Sequence, residues 1–220
     1  MTRKKIRKNK QDSGRFSCLS SRRYLTTLFL LKVNEMKCST KEIIELSGVC
    51  RSTLNNIKRG GIPNLSILRC LFAAPFRNPI LTPEQAGVAV AELIADNLPD
   101  NTYCPNFRVM VIPEEHDSEP PIPLPMYMKR LRTQYLNVSM REVCRRFDHC
   151  DFHQLSAIES DCYRVGIGPV CYLFNNYLSA IPSLPQEEWG AFATLILHHL
   201  FPAMSGYRML FIDKLHSVTK

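Results

Sequence analysis

From Tyr24 onward, apolar residues recur at helical spacing in short pieces. Tyr24, Leu25, Leu28, Phe29 and Val33 fit one face and predict a first amphipathic helix. Ser39 with Glu42 three residues on is a capping box, in which each side chain bonds the other residue's backbone N–H. A second helix is therefore predicted to start at Thr40. Ile43, Ile44 and Leu46 supply its apolar face, and Gly48 stops it. A third helix is predicted from about Arg51 to Arg59, closed by Gly60-Gly61. Leu65, Leu68, Leu71 and Phe72 mark a fourth. Helices this short with turns this tight predict an all-α unit over 22–78.

The pattern changes over 79–112. Thr82-Pro83-Glu84 is a helix start, followed by apolar Val88, Val90, Leu93 and Ile94. Arg108 to Ile112 is β-branched and fits a single short strand. The stretch 113–125 holds five prolines and four acidic residues, which predicts an extended linker and the clearest domain boundary. The short-helix rhythm then returns over 126–182. Met128, Leu131 and Tyr135 mark its first helix, and Ser139 with Glu142 is a second capping box. Val143, Cys144 and Phe147 form the next apolar side, Leu155 and Ile158 the third, and Val170, Leu173, Phe174 and Tyr177 the fourth. Pro182 and Pro185 end that unit, and 183–220 is predicted to be one apolar helix from Gln186 to Leu200 and a tail. The expected fold class is mainly α, with two small four- or five-helix units, a middle helix, room for one strand and a flexible basic arm at 1–21.

Charge sharpens this division. Residues 1–23 hold nine Lys/Arg against one Asp, 24–78 eight against three, 79–125 one against eight, and 126–182 seven against five. Basic segments separated by an acidic middle suit a polyanionic partner met at discrete places. The apolar fraction of 45% suffices for real cores. The best membrane candidate, Tyr24 to Val33, falls well below the roughly 18 residues of a span, and the N-terminus lacks the apolar core of a signal peptide. No membrane partner and a cytoplasmic, nucleoid-associated location are expected. The nine cysteines include no Cys-x-x-Cys pair, so buried thiols are expected instead of a disulfide framework.

Thr40 to Gly60 carries the candidate chemistry in a helix-turn-helix layout. Ile43 and Ile44 face inward, Gly48 takes the left-handed turn, Val49 plugs the corner, and Leu54 and Ile57 bury the inner side of the next helix. Arg51, Ser52, Thr53, Asn55 and Asn56 then lie toward the end and side that would enter a major groove. Arg can bond guanine in bidentate fashion and Asn can do the same with adenine, whereas Thr40, Lys41, Lys58 and Arg59 suit phosphates.

This segment resembles the lambda-repressor/Cro type of helix-turn-helix proteins over roughly residues 22–76. The resemblance rests on the polar cap, the apolar pair, Gly48-Val49, Arg51-Ser-Thr-Leu54 and the turn at Gly60-Gly61-Ile-Pro-Asn-Leu65. Cys50 stands where the family usually has Ser, and Lys58 where it commonly has an acid. The second unit looks like a divergent copy, in Met128-Lys-Arg-Leu-Arg-Thr-Gln134, Val138 to Phe147 and Leu155-Ser-Ala-Ile-Glu159. There Asp148 replaces the turn glycine, and the stretch from Asp148 to Leu155 is one residue longer than that from Gly48 to Leu54. Its exposed positions are expected at Asp151, Phe152, His153 and Ser156, with Arg141, His153, Gln154 and Ser156 as candidate DNA contacts.

Cys144, His149, Cys150, His153 and Cys162 are zinc-ligand types, but their irregular spacing favours buried thiols and surface histidines over a metal site. His198-His199 fit packing in an apolar helix. No phosphate-cradling Gly loop, Gly-x-Ser-x-Gly or catalytic carboxylate set is present. No catalytic residue, metal or cofactor is therefore expected. The resemblance implies a sequence-specific transcriptional regulator of a bacterium or mobile genetic element, binding double-stranded DNA as a homodimer. Two tandem units also let one chain cover two half-sites. A second regulatory protein or RNA polymerase is a further candidate partner. Two other classes remain open: a helical protein-interaction adaptor, which Asp151 and Phe152 favour, and a DNA-binding accessory of a recombination or transposition complex.

Overall fold

The computed structural model describes residues 37–59, 63–73, 81–95, 97–98, 107–114, 122–148, 150–181 and 187–213. The helix expected over Tyr24–Val33, the basic arm, the Gly60-Gly61 turn and His149 lie outside those residues. Of the described residues, 70% are helical, and two strands form one small sheet.

The first half comprises α1 (Thr40–Ser47), α2 (Arg51–Lys58), α3 (Leu65–Ala73), α4 (Pro83–Ala95) and β1 (Phe107–Pro113). The apolar face expected on α1 narrows to Ile43: Ile44 is half-buried and Leu46 exposed, because an eight-residue helix meets its neighbours along one narrow stripe. On α4, Val88 is exposed and Ala86, Gly87, Ala89 and Val90 are buried instead. That helix is apolar nearly all round, so its period does not choose a face; the close approach of β1 does.

The second half begins at α5 (Leu124–Arg130), which continues as a π-helical stretch, Leu131–Leu136. Leu124 and Pro125, expected in the extended linker, are helical and buried. Proline is tolerated there because the first helical turn needs no internal N–H bond. The wider π winding shifts the phase of the side chains. Tyr135 consequently points to solvent, and Arg132 turns inward. Its guanidinium meets Glu159 through Nε–Oε1 at 2.5 Å and Nη2–Oε2 at 2.7 Å, while Nη1 donates to the Val138 carbonyl at 2.9 Å.

There follow α6 (Met140–Arg146), α7 (Phe152–Asp161), α8 (Ile167–Ala180) and α9 (Glu187–Leu200). On α8, Phe174 stacks on Phe192 of α9 at 3.9 Å between centroids and receives the edge of Trp189 at 4.8 Å. The chain then returns as β2 (Tyr207–Asp213), which pairs antiparallel with β1 and sets Met110 opposite Leu210. A strand here corrects the expectation of a helix and tail alone over 183–220; Tyr207, Met209 and Phe211 face the helices, and exposed Arg208 points away. Thr194 fixes the strand to α9, accepting from Met209 N at 2.8 Å and donating to Gly190 O at 2.7 Å.

The two halves share one buried cluster, from Ile43 to Met209. Ser66 N donates to Tyr163 O at 3.1 Å, and Asn64 Nδ2 to Arg164 O at 3.4 Å. Next to this junction His199 lies flat on Tyr163, with ring centroids 3.6 Å apart. Burial, reinforced by the nearby Arg69 charge, lowers the His199 pKa to about 4. The unfolded side chain titrates near 6.5, so the native state resists a proton that the unfolded state accepts. His199 therefore contributes nothing to the pH dependence above about 6.5, and stability falls as pH drops from there toward 4, by up to about 1.4 kcal/mol per pH unit. Denaturant unfolding of wild type and His199→Phe across that window checks this. The variant keeps a ring on Tyr163 and should show a shallower fall, whereas equal slopes would remove His199 as the cause. No helix among the described residues is long and apolar enough to cross a membrane.

Candidate nucleic-acid interface

The geometry of α1 and α2 is set locally. Glu42 N donates to Ser39 Oγ at 3.2 Å, and Ser39 N to Glu42 Oε2 at 2.7 Å, which closes the capping box. Gly48 ends α1 at φ 68°, in the left-handed region where a side chain is disfavoured, and its N–H reaches Ile44 O at 2.9 Å. Ser47 Oγ donates to Ile43 O and accepts from Val49 N, so the turn is tied on both sides. Val49, Leu54 and Ile57 are buried beneath it.

That packing leaves Arg51, Ser52, Asn55, Asn56, Lys58 and Arg59 exposed on the outer side of α2, and Thr53 half-buried. No acidic side chain lies on this helix. Lys58 Nζ donates to Thr40 Oγ1 at 3.0 Å, linking the end of α2 to the start of α1. Lys41 meets Glu45 at 3.7 Å, an exposed pair of small energetic weight that leaves its ammonium accessible. Cys50 caps α2 with extended backbone, and its thiol lies 3.1 Å from both the Ser52 and Thr53 hydroxyls. Those hydroxyls, Ser52 first, bring its pKa down to about 7. In the sequence Cys50 stands out only as a departure from Ser, and its place just before a helix is the one signal of this acidity.

The second unit offers a different face. Ser139 Oγ caps α6 by accepting from Glu142 N, and Arg141 is exposed. Glu142 lies 2.9 Å from Arg146 and 3.8 Å from Arg145. No left-handed residue ends α6; Phe147 is extended, and Asp148 O accepts from Tyr172 OH at 2.7 Å. Asp151 caps α7, accepting from Gln154 N at 2.7 Å. Phe152 and His153 are exposed, but Ser156, expected on the outer side, is half-buried, as is Gln154. The first turn of α7 therefore carries its exposed surface.

The free thiols of Cys144 and Cys150 are hydrogen-bonded to each other, and burial followed by the Cys144 neighbour pushes Cys150 up to about 12. Burial pushes Cys162 up to about 12 as well. Thiols held protonated in this way are poor ligands and nucleophiles. Among the described residues no group of three or more His, Cys, Asp or Glu is placed to hold a metal ion. Comparison with known protein families, with curated proteins and with solved structures yields no match.

Proposed function

We propose that the chain is a sequence-specific DNA-binding regulator, with α1–turn–α2 acting as a helix-turn-helix reader and α2 entering the major groove. The observation that carries this is the two-sidedness of α2: Leu54 and Ile57 are buried, while Arg51, Asn55 and Asn56 are exposed on a helix without acids. Base edges in the major groove present bidentate patterns that arginine and asparagine match. Thr40, Lys41, Lys58 and Arg59 suit the flanking phosphates, and release of counterions there makes affinity steeply salt-dependent. Arg141, His153, Gln154 and Ser156 of the second unit are weaker candidates for the same role.

Arg51→Ala is expected to cost roughly 1–3 kcal/mol of binding and to relax one base position. A binding titration against single-base variants of a preferred duplex checks this. An equal loss at every position would make Arg51 a phosphate contact. The adaptor reading draws on Phe152, which is 49% exposed at the start of α7. An adaptor would be indifferent to Arg51→Ala in the same titration.

A further inference from the structure

The two halves correspond far beyond their helix-turn-helix segments. The only non-glycine residues with positive φ among the described ones are Lys37 and Asn137, each two positions before a capping serine, Ser39 or Ser139. Exposed Lys41 corresponds to exposed Arg141, and buried Ile43 to Val143. After the longer turn, Leu54 and Ile57 correspond to Leu155 and Ile158, all buried. The buried set Leu65, Leu68, Leu71 and Phe72 of α3 then matches Ile167, Val170, Leu173 and Phe174 of α8.

The match continues through α4 and α9. Gly87 and Gly190 occupy equivalent places, and each lies against the strand of its own half. A Cβ on Gly87 would collide with Val111, and one on Gly190 would come 2.7 Å from Met209 O. Phe-Arg-Val-Met-Val-Ile112 in β1 echoes Tyr-Arg-Met-Leu-Phe-Ile212 in β2. In the sheet the equivalent residues Met110 and Leu210 stand directly opposite each other.

Equivalent elements also meet one another: β1 with β2, α4 with α9, and the connector before α3 with the one before α8. Self-equivalent contacts of this kind lie along a two-fold axis, which here passes between Met110 and Leu210. A two-fold operation carries α2 onto α7 at the same level along the axis and reverses its direction in the plane perpendicular to that axis.

We propose that the chain is a covalent pseudo-dimer, in which one molecule sets α2 and α7 on two inverted half-sites of a single DNA duplex. This rests on the DNA-binding reading above. The strand pairing and helix packing that would join two subunits are already satisfied within one chain. Because the halves are linked, docking of the second half is intramolecular and needs no second molecule.

The half-sites are unequal. In the α7 positions equivalent to Arg51, Asn55 and Asn56 stand Phe152, Ser156 and Ala157. Bidentate base readers are missing there, and exposed Phe152 suits apolar contact with a thymine methyl. Asp151 directs its carboxylate to the Gln154 N–H, and Arg141 stands where Lys41 contacts phosphate in the first half.

The test uses the full chain and the duplex it enriches from a random library. Sedimentation equilibrium of the complex, with hydroxyl-radical footprinting, should give one chain per duplex and protection on both sides of a dyad. Asn55→Ala should weaken a single position on the first side about ten-fold or more, and Phe152→Ala a position on the other side by less. Two chains per duplex, or protection of a single half-site, would overturn the pseudo-dimer while leaving DNA reading intact. If no sequence is enriched, the DNA reading falls and this inference falls with it.

Discussion

Glu159→Ala should lower the free energy of unfolding by about 3–5 kcal/mol, because it leaves the Arg132 guanidinium buried without its anion. The side chains are 9% and 3% exposed, so water cannot replace the lost partner. The pair is bidentate, and Arg132 also holds the Val138 carbonyl just before the Ser139 cap. Losing Glu159 therefore releases both the π-helical stretch and the entry to α6. The double variant Arg132→Met/Glu159→Leu separates charge from packing. It should recover much of the loss, since a buried ion pair is rarely more stabilising than an apolar pair of similar volume. Urea unfolding of wild type, both single variants and the double variant supplies the cycle. A single-variant loss under about 1 kcal/mol would mean that the site opens to water, as an exposed pair does.

Phe174→Ala should cost a comparable amount, about 3–5 kcal/mol, through lost transfer energy and the cavity left behind. Phe174 is fully buried, stacked on Phe192 and met by the edge of Trp189. It joins α8 to α9, and α9 carries β2 through Thr194. The consequence should reach the sheet. Amide hydrogen exchange over Tyr207–Asp213 is expected to quicken in this variant and to stay slow at α1 and α2. Uniform acceleration across the chain would indicate global unfolding rather than selective loosening of the second half.

Where signals were local, the sequence was legible. The capping box at Ser39, the left-handed Gly48 and the three-residue spacing of Leu54 and Ile57 act within single turns, and each is found as expected. At Ser139 only the serine's half of the expected box forms, because the Glu142 carboxylate turns to Arg145 and Arg146 instead. Non-local determinants were not legible. The β2 residues alternate correctly, but their partner lies a hundred positions away, and 183–220 reads first as its apolar helix. Arg132 carries no hint of burial, because its partner Glu159 is on another helix and the π winding breaks the 3.6-residue period. On α4 the small residues facing β1 resemble those facing solvent, and only the strand's approach distinguishes them. At the candidate interface, the outer side of α2 follows from period alone, whereas Ser156, at the same phase of α7 as exposed Asn55 of α2, is half-buried without any local signal for it in the sequence.

The central claim is that α2 reads bases, and selection of bound duplexes from a random library tests it most directly, with wild type and Asn55→Ala carried in parallel. Wild type should enrich a defined motif, and Asn55→Ala should lose one base position from it while still binding DNA in a salt-sensitive way. Salt-sensitive binding with no enriched motif, or a motif unchanged by Asn55→Ala, would contradict base reading by α2.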